Sequence, residues 1–423
     1  MNLTEFLLTI FILIVIIGVV NEKFFHIQSD IALVLFSTLL SAVLITLDHI
    51  FSNIAIMDSI TRSLGNFDFH DYLLDYMLCF MLFTGAGQIN LKRFEKNIKA
   101  ITLLSFLTTI ISSAVFGVIF YFFSILFGFN PNIYVCILLG CIVSPTDPIA
   151  ATGILNKMGL SKDVSSVIEG ESLFNDGMGV ALFVFVRGLV TGKSGGNFFL
   201  VMGREVIGAI LVAIIVSFVM TKIMEKTEKS LYHILISLFS VAFIYKICSY
   251  IGASGAIASV VCGMFFAAMR NKKSDFYEKA DSKGEYDSFF DALDEILNSM
   301  LFVMIGLTII SAQLVNRFYT LIIVGLIAVI VSRYVGVYGS TILMGRKTFP
   351  GGYTRNQFTV IMTWAALKGG LCLALAMETR SFLTDNQYLV ILNTTYVIIF
   401  FTVLVQGLTV KKGYNYIESH RKV

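Results

Sequence analysis

Residues 140–153 read GCIVSPTDPIAATG, inside an otherwise apolar run. Pro145 and Pro148 bracket Asp147 there, and both a proline and a carboxylate are costly in hydrocarbon. Proline donates no backbone hydrogen bond and its ring clashes with the preceding turn, so the spacing predicts a helix that opens around Ser144 to Pro148. Opened backbone at membrane depth is tolerated only where it lines a cavity or is buried in protein. Main-chain carbonyls freed beside a carboxylate make a good site for a hard cation. The stretch therefore reads as one device, a broken helix that coordinates an ion. A plain proline kink leaves the aspartate unexplained.

The flanking sequence supplies the membrane. Of 423 residues, 57% are hydrophobic and 14% charged, with a mean hydropathy of +0.83, outside the range of soluble globular chains. Apolar runs long enough to cross about 30 Å of hydrocarbon recur throughout. They fall at residues 5–21, 30–48, 72–89, 100–127, 132–155, 165–190, 199–221, 231–250, 254–269, 288–312, 316–343, 357–377 and 386–410. The reading is an all-α polytopic membrane protein with about 13 transmembrane helices. The first run has no charged leader or cleavage site and reads as a retained helix, not a signal peptide. Basic residues gather on alternate loops, such as Lys92, Arg93, Lys96 and Lys99 or Lys222, Lys226 and Lys229, and at the C-terminus with Lys411 and Lys412. The C-terminus is thus expected in the cytoplasm and the N-terminus outside. The net charge of +3 reflects that loop bias and argues against a nucleic-acid partner. The six cysteines lack metal-ligand spacing and read as core residues. The histidines, His26, His49, His70, His233 and His420, lie near span ends or in loops and read as interfacial.

Few ionisable groups occupy the middle of a span: Asp147, Glu171, Asp176, Arg333 and Lys368, with Glu169 nearer an interface. Each costs roughly 2.5–3.5 kcal/mol at a helix centre, so the set needs partners or a wet cavity. Mutual ion pairs that merely tie helices together are the plainer alternative, strongest for Glu171 with Arg333. In SSVIEGESLFNDGMGVALF, Asp176 lies about 16 Å deep, half the bilayer. Glu171 and Asn175 are four residues apart, as are Ser172 and Asp176, so two adjacent polar stripes face nearly the same way. Gly170, Gly177 and Gly179 flank them and allow another backbone to come close. A second interruption is expected at Gly369 and Gly370, beside Lys368. Spans two to seven and eight to thirteen form two sets that counting alone makes parallel, and an inverted relation requires an offset. Paired interrupted helices point to a transporter core either way. No phosphate-binding loop is present.

At these residues the sequence resembles the NhaP-type sodium/proton antiporters of the monovalent cation/proton antiporter family. The likeness rests on Thr146-Asp147-Pro148, on EGESLFNDGMG with Asn175-Asp176, on GASGAIASVVCGM from Gly252 and LNSMLFVMIGL from Leu297. SRYVGVY with Arg333 and WAALKGGLCLALAM from Trp364 complete it. The resemblance implies two interrupted helices crossing at the ion site, with Asp176 as principal ion and proton carrier. It implies that Asp147, Ser172 and the Thr146 main chain complete the sodium site, and that Asn175, Glu171 and Arg333, with Lys368, support it. It further implies electroneutral 1:1 exchange of sodium, with lithium as a further cation, no cofactor, and a homodimer in the cell membrane. Core helices would span about 95–190 and 316–410, dimerisation helices about 1–90 and 231–312, and a short tail 411–423. Two departures stand out: Thr84 where relatives often carry an acid, and Lys368 where many carry arginine, which loses a bidentate fork.

Because protonation removes the charge that binds sodium, one carboxyl can host either ion but not both. The other readings are potassium/proton exchange, a cation symporter or channel, and an intramembrane aspartyl protease using Asp147 and Asp176 as a dyad. The last lacks a Gly-x-Gly-Asp pattern.

Overall fold

The computed structural model describes residues 3–50, 77–147, 159–192, 198–272, 282–307, 319–345 and 349–419. Pro148, His70 and His420 lie outside the described residues, as does the C-terminal part of the predicted span 132–155. The helices are α1 (Leu3–Val20), α2 (Ser29–Ile50), α3 (Leu78–Gln88), α4 (Leu91–Leu126), α5 (Ile133–Val143), α6 (Lys162–Val190) and α7 (Phe198–Met224). After them come α8 (Ser230–Ile251), α9 (Gly255–Lys272), α10 (Ser282–Leu307), α11 (Tyr319–Met344), α12 (Arg355–Trp364), α13 (Gly370–Glu378) and α14 (Asp385–Ser419). Every predicted span contains helix. Among the described residues eight helices are long and apolar enough to cross a membrane by length and composition.

Local chemistry sets the boundaries. Asn90 caps α4 by accepting from the Arg93 amide at 3.2 Å, and Asn132, just after Pro131, caps α5 by accepting from Tyr134 N at 2.9 Å. Capping boxes start α12 (Thr354 with Gln357) and α14 (Thr384 with Gln387). α5 ends at Val143, because a helix continued through Pro145 loses a donor and meets the ring. α12 ends at Trp364 and α13 starts at Gly370, so the predicted single span 357–377 is two half-helices.

Where the two interruptions meet, Asp147 N–H donates to Leu367 O at 2.9 Å in an antiparallel bridge. The extended backbones of the two breaks therefore run in opposite directions where they touch, as spans of odd and even number do. Two stretches of π-helix lie close by, Leu103–Thr108 within α4 and Phe401–Gln406 within α14. Such wide turns re-aim side chains within a helix.

Close helix contacts hold this core. A Cβ at Gly336 of α11 would sit 2.4 Å from Ser112 Oγ of α4, and one at Gly179 of α6 would sit 2.3 Å from the Pro145 ring. The predicted glycine flank thus serves three different neighbours: Gly170 faces Ile101, Gly177 faces Ile257, and Gly179 faces Pro145. A second apolar cluster joins α3, α7, α8, α9 and the start of α10. Leu200, Ile207, Leu211 and Ile215 are exposed along α7 at helical spacing, an apolar stripe suited to lipid. All six cysteines are buried and outside any disulfide. His233 lies in the first turn of α8, near a span end as expected, and is buried in protein with Nε2 2.8 Å from Thr227 O.

Candidate ion-binding site

The α5 break and the polar stripes of α6 dock on one another. Thr146 N–H donates to Asn175 Oδ1 at 3.2 Å, and Asn175 Nδ2 donates to Thr146 Oγ1 at 2.7 Å. Thr146 and Ser172 share a hydroxyl hydrogen bond at 3.0 Å. The opened chain is thus clamped to α6 by neutral groups. Asn175 also donates to Glu171 Oε1 at 2.9 Å, as the four-residue spacing predicts.

Glu171 links that clamp to α11. Arg333 Nη1 and Nη2 donate to its two oxygens at 2.8 Å each, a planar fork-to-fork pair. The side chains are 4% and 1% exposed, so the pair is fully desolvated and its charges are spent on each other. Ser105, in the π stretch of α4, donates to the Glu171 main-chain oxygen at 3.1 Å. These two residues form the ion pair between helices that the plainer alternative expects.

Lys368 answers the other loose end. Its ammonium donates to Ser144 O at 3.0 Å and Pro145 O at 3.1 Å. These carbonyls were freed by the break, and they accept from the lysine ammonium. Its own amide donates to Thr402 Oγ1 at 3.1 Å in the π stretch of α14. The positive N-terminal end of α13 begins one residue after Gly369, and a Cβ at Gly369 would sit 2.7 Å from Asp147 Oδ2. A helix N-terminus beside a carboxylate and a lysine at a helix C-terminus each offset a dipole end.

A cavity of about 480 Å³ opens onto the crossing and is lined by Thr146, Asp147, Ser172, Asp176, Gly369 and Cys372 at its inner end. It therefore brings together all four predicted cation-site residues. Asn175, Glu171, Arg333 and Lys368 stand behind its wall. Among the described residues Asp176 makes no hydrogen bond or ion pair. A carboxylate beside hydroxyls and main-chain oxygens is a donor set for a hard, weakly held cation.

Sequence reading missed Asp294 of α10, which lines the same cavity and whose Oδ1 accepts from Thr84 Oγ1 at 2.6 Å. It falls in the predicted span 288–312 among Asp291 and Glu295, a density of acids that reads as the edge of a loop. The signal was the Asp294–Asn298 spacing, which puts a carboxylate and an amide on one helix face.

Interrupted helices that cross beside an unpaired membrane carboxylate define a secondary ion carrier. The family model for the transmembrane sodium/hydrogen exchanger matches residues 8–412, and the chain belongs to that family. The protease reading falls with that membership. The Na(+)/H(+) antiporter NhaP of Pseudomonas aeruginosa is 29% identical over 356 residues, covering 81% of this chain and 80% of that one. The Na(+)/H(+) antiporter NhaH of Halobacillus aidingensis is 27% identical over 322 residues, 74% of this chain and 75% of that one. The sodium proton antiporter MjNhaP1 of Methanocaldococcus jannaschii shares the fold, with a TM-score of 0.76 over 99% of both chains at 20% identity.

Proposed function

We propose that this protein exchanges sodium for protons across the membrane, with Asp176 holding one ion or the other in turn. The observation that carries the reading is the carboxylate of Asp176, which faces the cavity without a partner while Glu171 and Arg333 neutralise each other. Sodium leaves water for Asp176, Asp147, the hydroxyls of Ser172 and Thr146 and the Thr146 main chain. Protonation of Asp176 cancels the charge that holds it. Exchange at a single site is electroneutral, one proton for one sodium, and needs no cofactor.

The cavity reaches the crossing from the end marked by Gln88, Ile89 and Glu169, near the basic group Lys92 and Arg93. That end is cytoplasmic if the C-terminus is inside, as the loop charges argue. Alternating access would then move the core helices at about 95–190 and 316–410 against the remainder, which pairs two copies into a homodimer.

The test is proton movement in everted membrane vesicles carrying a pH-sensitive dye. Wild-type protein dequenches the dye on addition of sodium, and Asp176→Asn does not while still accumulating as folded protein. Normal dequenching by that variant overturns the reading. Equal trials with lithium and potassium rank the cations, and opposed gradients separate exchange from co-transport or a channel.

A further inference from the structure

Two carboxylates line the cavity beyond the pair used in the exchange cycle, Glu169 and Asp294. Glu169 lies two turns before Asp176 on α6, about 10 Å along the axis, and accepts from Ser165 Oγ of its own helix at 2.8 Å. Asp294 is held more firmly. Thr84 Oγ1 of α3 donates to its Oδ1 at 2.6 Å, and Asn298 Nδ2 donates to its Oδ2 at 3.1 Å. No lysine or arginine pairs with it among the described residues.

Its place along the cavity follows from α10. Leu301, two turns beyond Asp294 and so about 10 Å further on, packs on Gly370, where a Cβ would meet its Cδ1 at 2.0 Å. α10 therefore runs from Asp294 down to the level of the helix crossing. One turn before Asp294, Asp291 Oδ1 accepts from Gln88 Nε2 at 2.8 Å, which closes the mouth side of the α3–α10 seam.

We propose that Asp294 is a receiving carboxylate for the transported cation: fixed by Thr84 and Asn298, it holds a hydrated monovalent cation about 10 Å along α10 from the level of the crossing and so sets the apparent sodium affinity. The inference rests on the exchange reading above. An ionised carboxylate offers about four acceptor sites, of which two neutral donors use two, so its charge and its remaining lone pairs stay available to the cavity. A charge at that distance in a partly wet cavity changes local cation occupancy severalfold, and salt screens the effect.

The experiment measures sodium-driven proton movement in proteoliposomes of the full chain, comparing wild type, Asp294→Asn and Asp294→Glu over a range of sodium. Asp294→Asn is expected to raise the sodium KM about three- to tenfold, with Vmax falling far less than KM rises. Asp294→Glu restores the KM, and an inert organic salt narrows the gap between Asp294→Asn and wild type. An Asp294→Asn KM equal to that of wild type overturns the proposal. A loss of Vmax at unchanged KM also overturns it, because that pattern belongs to a residue that only joins α3 to α10. Where Asp294→Asn does not accumulate, Asp294→Ser carries the same expectation. A wild type that moves no protons sinks the exchange reading, whereas an exchanging wild type beside an indifferent Asp294→Asn sinks this inference alone.

Discussion

Lys368 holds the end of a helix to which it does not belong: its ammonium donates at 3.0 Å and 3.1 Å to the carbonyls of Ser144 and Pro145, where α5 stops. The lysine comes from the interruption between α12 and α13, so each broken helix completes the other. Lys368→Met leaves Ser144 O without the ammonium and Pro145 O with only the weak Cys372 thiol donor at 3.8 Å. A loss of about 2–4 kcal/mol is expected, read as a lower melting midpoint of the detergent-solubilised protein. A midpoint equal to wild type contradicts the role.

The Glu171–Arg333 pair predicts a non-additive result. Removing one partner strands a buried charge, so Glu171→Leu or Arg333→Met alone is expected to cost about 3–5 kcal/mol. Glu171→Leu combined with Arg333→Met removes both charges and recovers most of that stability. Thermal unfolding of the single and double variants, arranged as a double-mutant cycle, measures the coupling.

Gly179 tests the seat of the broken helix. A Cβ there meets the Pro145 ring at 2.3 Å, so Gly179→Ala displaces the segment that carries Thr146 and Asp147. The expected cost is about 1–3 kcal/mol with a loss of most transport. Gly203→Ala, at a position with nothing within 4 Å, serves as the control and transports normally.

Competition fixes the sign of the pH dependence. Acid fills Asp176 with protons, so the apparent sodium KM rises as pH falls, approaching about tenfold per unit once the carboxyl is mostly protonated. Alkaline pH lowers the KM towards a constant. Initial rates across a matrix of pH and sodium check this, and a KM independent of pH contradicts a shared site.

Much of this site is local chemistry and was legible in the sequence. The break at Ser144 to Asp147 follows from proline stereochemistry, and the Glu171–Asn175 hydrogen bond follows from helical spacing. What escaped was long-range. Asp294 is defined by Thr84, 210 positions away in the chain, and no periodicity within one span announces such a partner. The task of Lys368 depended on which carbonyls lay beneath it, and the contact between the two breaks depended on how Asp147 meets Leu367. Counting spans carries neither kind of information.

The central claim is that Asp176 holds a proton or a sodium ion and never both. Purified protein in weakly buffered solution, at a pH acid enough that the sodium KM rises about tenfold per unit, is titrated with sodium chloride and followed by a pH indicator, which tests it directly. About one proton released for each sodium bound is the result expected of a single-site exchange, with no sodium-induced release from Asp176→Asn. Sodium bound by the wild type with no proton released contradicts the account.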